Sequence, residues 1–311
     1  MIVKRNFNPI KIIQYVKYEL LMSTLLSVGV LVLSRYASTP IAIPFSIVAI
    51  LGSALAIFIA FRNNTSYARW WEARTVWGSI INNSRILARQ IIANADHAVA
   101  IGKSSVEKVA IYKKEMIYRQ IAFAHALRLH LRKQTTTDEY KHLMSASEFD
   151  ALKGKFNVPN LLLQQQGIRI KEGMKEELLG AFDSISLEPT LTGFNNFQGS
   201  CERIKNIPLL KQYDFFTRLF LFVFMLLLPF SLIGDFSKLN IDYLMVPASI
   251  IISYVFATMG KVGEVNEDPF ENRITDIPMT SLCNTIERDL KEMLGETDLP
   301  SKLEPQQGFL F

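Results

Sequence analysis

Cysteine and histidine are scarce in this chain of 311 residues, and their placement excludes most of the chemistry they serve. Cys201 and Cys283 stand far apart with no CxxC spacing, which argues against a disulfide framework or a zinc site. The four histidines, His97, His125, His130 and His142, show no HExxH or related metal-binding pattern. The glycines at Gly102 and Gly180 lack the strand and second glycine of a phosphate-cradling loop. No alternating strand pattern of useful length occurs, and no internal repeat or low-complexity run. A cleavable signal peptide is not expected, because Met1 to Ile13 mixes charge with apolar residues and lacks a small-residue cleavage site. No convergent set of titratable residues marks an active site, so an enzyme is not expected, and no cofactor or metal is implied. The net charge of +5 needs no nucleic acid to explain it, since basic residues gather at the ends of apolar segments.

What the chain has is long apolar runs. With 49% hydrophobic and 20% charged residues it is too apolar for a typical soluble protein and too charged to lie wholly in a membrane. Leu20–Leu33 and Ile41–Phe61 form two close-set spans, and Phe215–Ile233 and Ile241–Met259 two more. Ile41–Phe61 carries no charge and is long enough, at roughly 30 Å as a helix, to cross a bilayer core. It ends in Arg62, Asn63, Asn64 and then Arg69, Trp70 and Trp71, the order expected on leaving a membrane toward the cytoplasm. Within it Gly52, Ala56 and Ala60 recur every four residues, a stripe that admits a close neighbouring helix. Ser53, Ile57 and Phe61 recur likewise one position further round. Spacing alone suits both an ordinary packed membrane helix and a pore lining.

The expected organisation has five parts. Residues 1–19 form an amphipathic helix on the inner membrane face, and 20–61 a transmembrane hairpin. Residues 62–211 form a cytoplasmic helical domain, 212–260 the third and fourth spans, and 261–311 a cytoplasmic C-terminal segment. Helical patterns within the polar parts cover Ala68–Ala95, Ser105–Arg132, Ser145–Lys155, Asn160–Leu179, Leu187–Ile204 and Thr280–Leu294. Asp138 or a nearby Thr is expected as a helix N-cap, and Glu296–Phe311 as weakly ordered. Arg218, near the entrance of the third span, is expected to snorkel or to pair with Glu202. The fold class is an all-α membrane protein of four transmembrane helices plus a cytoplasmic bundle. Basic residues at the span ends place both termini in the cytoplasm and the protein in the inner membrane.

Three stretches together resemble the bestrophin family of ion channels, particularly its bacterial members. They are FRNNTSYARWWEARTVWG at 61–78, LTGFNNFQGSCERIKNIP at 191–208 and GEVNEDPFENRITDIPMT at 263–280. Arg69, Trp70, Trp71, Glu202, Arg203, Asp268, Pro269 and Phe270 carry these motifs. The resemblance implies a homopentamer in the lipid bilayer around one axial pore for small monovalent ions, chloride by family with a cation such as sodium as rival. It implies a hydrophobic neck at Ser53, Ile57 and Phe61, where apolar rings conduct only while wetted. The family's outermost neck position is usually bulky and apolar. Ser53 there implies a shorter, wetter neck or a register shifted by a residue or a turn. A second, cytoplasmic constriction maps near Thr190, with Leu187 and Leu191 beside it. The calcium clasp of the animal members is not expected, because Arg273 and Ile274 interrupt the acidic run and too few oxygens remain. Its acidic residues are expected to cap helices and to pair with Arg69 or Arg74. A non-conducting oligomeric scaffold is the alternative.

Overall fold

The apolar run that opens at Phe45 does not stop where charge begins. It continues as one helix, Phe45–Ala100, because no proline interrupts it and the Asn63-Asn64 pair is tolerated within it. The break expected after Phe61 is therefore absent. The helix ends at Gly102, which takes a φ of +73° that a side chain would resist, and Lys103 N–H donates back to Ala98 O at 3.0 Å.

The computed structural model describes residues 1–4, 13–36, 41–134 and 138–311, and among these the protein is all-helical with no strand. The helices are α1 Lys17–Tyr36, α2 Phe45–Ala100, α3 Val106–Leu131, α4 Ala146–Leu152, α5 Val158–Lys175, α6 Asp183–Asn206, α7 Lys211–Lys238, α8 Met245–Asn266 and α9 Met279–Met293. Short 3-10 turns cover Asp138–Leu143 and Asp242–Leu244. Residues 5–12 of the expected amphipathic helix at the N-terminus lie outside the described residues, as do the threonines at 135–137. Asp138 opens a 3-10 turn. Two other caps are plain: Ser105 Oγ accepts from Lys108 N–H, and Ser145 Oγ from Glu148 N–H.

The chain divides into two compact units. The first comprises Met1–Val3, Trp70–Ile207 and Asp268–Phe311, and the second Lys4–Arg69 and Pro208–Glu267. In the first, α3 is the central helix, packed by α5, α6 and α9. Trp77, Tyr112, Phe123 and Phe194 are fully buried there. A buried polar chain crosses this core: Gln166 Nε2 donates to Gln120 Oε1 at 2.8 Å, and Gln120 Nε2 to Ser84 Oγ at 2.9 Å. Each amide thus finds a partner where water cannot reach, which ties α5, α3 and α2 in one register. The C-terminal tail, expected to be loose, is anchored. Leu310 N–H donates to Met1 O, Val3 N–H to Gly308 O and Ser281 N–H to Phe311 O, all within 2.9 Å. Glu296 accepts from Tyr118 at 2.9 Å.

In the second unit α1, α7 and α8 pack together. The small-residue seam of this unit is not at the Gly52 stripe. It is α1 against α8, where Ser23, Ser27, Ser249, Ser253 and Ala257 are buried and Ser23 Oγ donates to Ser253 Oγ at 2.9 Å. Small residues let those backbones approach, and the hydroxyls bond across. Gly52 instead receives the ring of Phe224, which lies 3.0 Å from where a Cβ would stand. Ala60 is exposed.

Candidate functional site

Helix α2 has two faces over its apolar turns. Leu55, Ile59 and Arg62 are buried against the second unit, whereas Ser53, Ile57 and Phe61 point outward. Ile57 is 56% and Phe61 63% exposed. The 3.6-residue period puts these three on one stripe, as the spacing anticipates. Ser53 Oγ donates to Ala49 O at 2.9 Å, so its hydroxyl is turned back onto its own helix.

Directly after Phe61 the chain buries a cation. Arg62 has a side chain 5% exposed, lies 2.5 Å from Asp214 on α7 and 3.8 Å from Glu267, and donates to Gly260 O on α8 at 3.4 Å. Asn63 Nδ2 donates to Met259 O at 2.9 Å, and a Cβ at Gly263 would strike Asn63 Oδ1. The sequence suggests Arg62 as a marker of the membrane surface. The structure makes it the anchor that fixes the outward stripe of α2 against α7 and α8. Its acidic partners sit far away in sequence, which hid this role.

Several motif residues make contacts within the fold. Trp70 Nε1 donates to Thr275 O at 3.1 Å, while Trp71 is exposed and Arg69 and Asp268 are half-buried. Pro269 O accepts from Ile277 N–H at 3.2 Å, and Phe270 is buried in the first unit's core. Asp276 accepts from Arg273 N–H at 3.0 Å, Glu271 pairs with Lys205, and Glu267 faces Arg62. Asp276 thus closes a turn rather than capping a helix, since Met279–Met293 opens at Pro278 with no side-chain cap, and Glu271 and Glu267 reach Lys205 and Arg62. Glu202 accepts from Gln198 at 2.8 Å and Asn157 at 3.0 Å. Arg203 pairs with Glu72 at 2.5 Å. Arg218 pairs with Asp214 one helical turn away, because both lie on one face of α7, and not with Glu202.

The lower-constriction residues are packed inward. Leu187 and Leu191 are buried in the first unit's core, and Thr190 Oγ1 donates to Gln90 Oε1 at 2.9 Å. Helix α6 presents Ile185 and Glu188 outward instead, with Ile185 70% exposed. Pro189 lies inside this helix. Ionisable groups in this unit are set by packing. Burial beside Arg128 draws Arg132 down to about 10. A hydrogen bond with His125, joined by Lys291, holds Glu287 down at about 2. Burial pushes both thiols up, Cys283 to about 12.

Four helical stretches are long and apolar enough to cross a membrane. Together with the apolar outer face of the second unit they define a helical membrane protein. The bacterial/fungal bestrophin model matches residues 7–292. The voltage-dependent anion channel-forming protein YneE of Escherichia coli K12 is 30% identical over 299 residues, 96% of this chain and 93% of that protein. The voltage-dependent anion channel-forming protein alr2987 of a Nostoc species is 30% identical over 85% of this chain and 83% of its own. A bacterial bestrophin homolog from Klebsiella pneumoniae, solved by Zn-SAD phasing, superposes with a TM-score of 0.80 at 27% identity, covering 90% of this chain and 99% of that one. The chain belongs to the bacterial/fungal bestrophin family.

Proposed function

We propose that the protein is a homopentameric channel for small monovalent ions, with α2 lining a hydrophobic neck at Ser53, Ile57 and Phe61. The observation that carries this reading is the outward stripe of α2, which exposes Ile57 and Phe61 while Arg62 clamps the opposite face. One stripe cannot enclose a lumen, so several copies are required, and five is the number the resemblance implies. Five Phe61 and five Ile57 side chains form rings that pass ions when wetted and block them when dry. Ser53, with its hydroxyl turned back onto the helix, shortens the apolar height of the neck at its outer end. Anions are the first choice, because the relatives are named as anion channel-forming proteins. No catalytic role is proposed. The cytoplasmic constriction moves in this reading from Leu187, Thr190 and Leu191 to the exposed Ile185.

Four spans bring both ends of the chain to one side of the membrane. The pairing of Met1–Val3 with Gly308–Leu310 inside one unit supports that topology. Basic residues at the span ends favour the cytoplasm as that side, and the inner membrane as the site.

The test is ion flux from liposomes carrying purified protein. Phe61→Ala and Ile57→Ala are expected to raise flux several-fold, because a smaller ring wets more readily. A reversal potential under a KCl gradient then gives the sign of the permeant ion. Silence of the wild type and both variants, with protein shown to be folded and inserted, would favour the scaffold.

A further inference from the structure

The first unit holds a cavity of about 730 Å³ that the channel reading does not use. Its apolar walls come from α3, α4 and the start of α5, among them Leu129, Leu152 and Val158. Its polar groups include Lys133, Lys155, Lys205, His130, Glu202 and Asn206. Three lysines therefore face one carboxylate. Glu202 is occupied by Asn157 and Gln198, with His130 Nε2 3.5 Å away, and Lys205 by Glu271. Lys133 and Lys155 are exposed and make no ion pair among the described residues. Phe156, on the rim, is 94% exposed, with its ring edge-on to His130 at 6.5 Å. A bare phenylalanine on the lining that carries two unpaired lysines is costly against water. It is well matched to the boundary of a bilayer, where the ring meets acyl chains and the ammonium groups meet phosphates.

We propose that this cavity takes the phosphate headgroup of an anionic phospholipid, with Lys133 and Lys155 binding the phosphate and Phe156 seated among the acyl chains. The shared chemistry is a phosphate ester. A lipid rather than a soluble phosphate is favoured by Phe156 and by the chain itself. Asn206, on the cavity wall, precedes the apolar helix α7 at Lys211 by five residues, a reach of at most about 18 Å. The volume falls within the range of ligand pockets, and the mixture of apolar wall and few charges suits an amphipathic ligand. The proposal does not depend on the pore.

The experiment measures lipid retained by full-length protein after exchange from mixed phosphatidylglycerol and phosphatidylcholine into lipid-free detergent. The wild type is expected to keep phosphatidylglycerol preferentially. Lys133→Glu with Lys155→Glu should lower that retention roughly 25-fold, about fivefold for each lysine. Both side chains are exposed, so the double variant is expected to fold. Lys103→Glu with Lys108→Glu, exposed residues away from the cavity, should leave retention unchanged. Phe156→Ser should weaken retention while keeping the headgroup preference. Equal retention by the wild type and the charge-reversed cavity variant would overturn the proposal. So would displacement of the lipid by glycerol 1-phosphate at equal concentration, which would assign the cavity to a soluble phosphate ester.

Discussion

The two units solve the same packing problem in opposite ways. In the first, the large apolar side chains are inside, and the buried polar groups are joined in chains such as Ser84–Gln120–Gln166. In the second, serines and Arg62 are inside beside a smaller apolar core that includes Leu55, Ile59 and Phe224, while Leu25, Ile50, Phe215 and Ile251 stand outward. Water drives apolar groups inward in the first case. A bilayer gives no such drive, so helices associate through small residues and hydrogen bonds. It follows that exposure means something different in each unit. An exposed Ile57 or Phe61 costs little beside lipid-facing neighbours.

The contrast can be broken most strongly at Arg62. Arg62→Ala leaves Asp214 and Glu267 without their buried cation and is expected to destabilise the folded protein by about 3–5 kcal/mol, read as a fall in the unfolding midpoint in detergent. Leu191→Ala in the first unit should cost about 2–5 kcal/mol through the cavity it leaves, whereas Ile57→Ala should leave the midpoint nearly unchanged. Gln120→Leu should cost about 1–3 kcal/mol, because Ser84 and Gln166 lose a buried partner, and adding Gln166→Leu should recover part of that loss. The smallest effect is expected from pH. Glu287 titrates at about 2 in the folded protein against an ordinary 4.5, so it stabilises above pH 4.5 and loses that contribution as pH falls toward 2. Acid unfolding profiles of the wild type and Glu287→Gln should converge across that window, with a gap of the order of 1 kcal/mol above it.

Most of the helical architecture was legible from the sequence. A 3.6-residue apolar period matches a helix and no strand, and an uncharged run of about 20 residues matches the thickness of a bilayer. Ser53, Ile57 and Phe61 share one exposed stripe, and their four-residue spacing indicated the shared stripe but not which way it faces. Boundaries failed where local chemistry is permissive: nothing at Asn63-Asn64 forces a stop, so α2 continues to Ala100. On α6, Leu187 and Leu191 have the apolar character of a pore ring and are packed in the core, a distinction that spacing alone does not carry. Residues near one another in sequence cannot reveal Arg62–Asp214, nor the union of Met1 with Leu310, since both depend on contacts between distant parts of the chain.

The central claim is that the Ile57–Phe61 stripe faces water rather than lipid, and cysteine modification during current recording tests it most directly. Both native thiols are buried, which leaves the background quiet. Single substitutions Ile57→Cys and Phe61→Cys are compared with Leu25→Cys and Ile251→Cys, similarly exposed residues on other helices of the same unit. A water-soluble, charged thiol reagent is expected to react at Ile57→Cys and Phe61→Cys and to change the current, while leaving Leu25→Cys and Ile251→Cys untouched. Reaction at neither neck position, in a variant that still conducts, would place the stripe against lipid or protein and contradict the account.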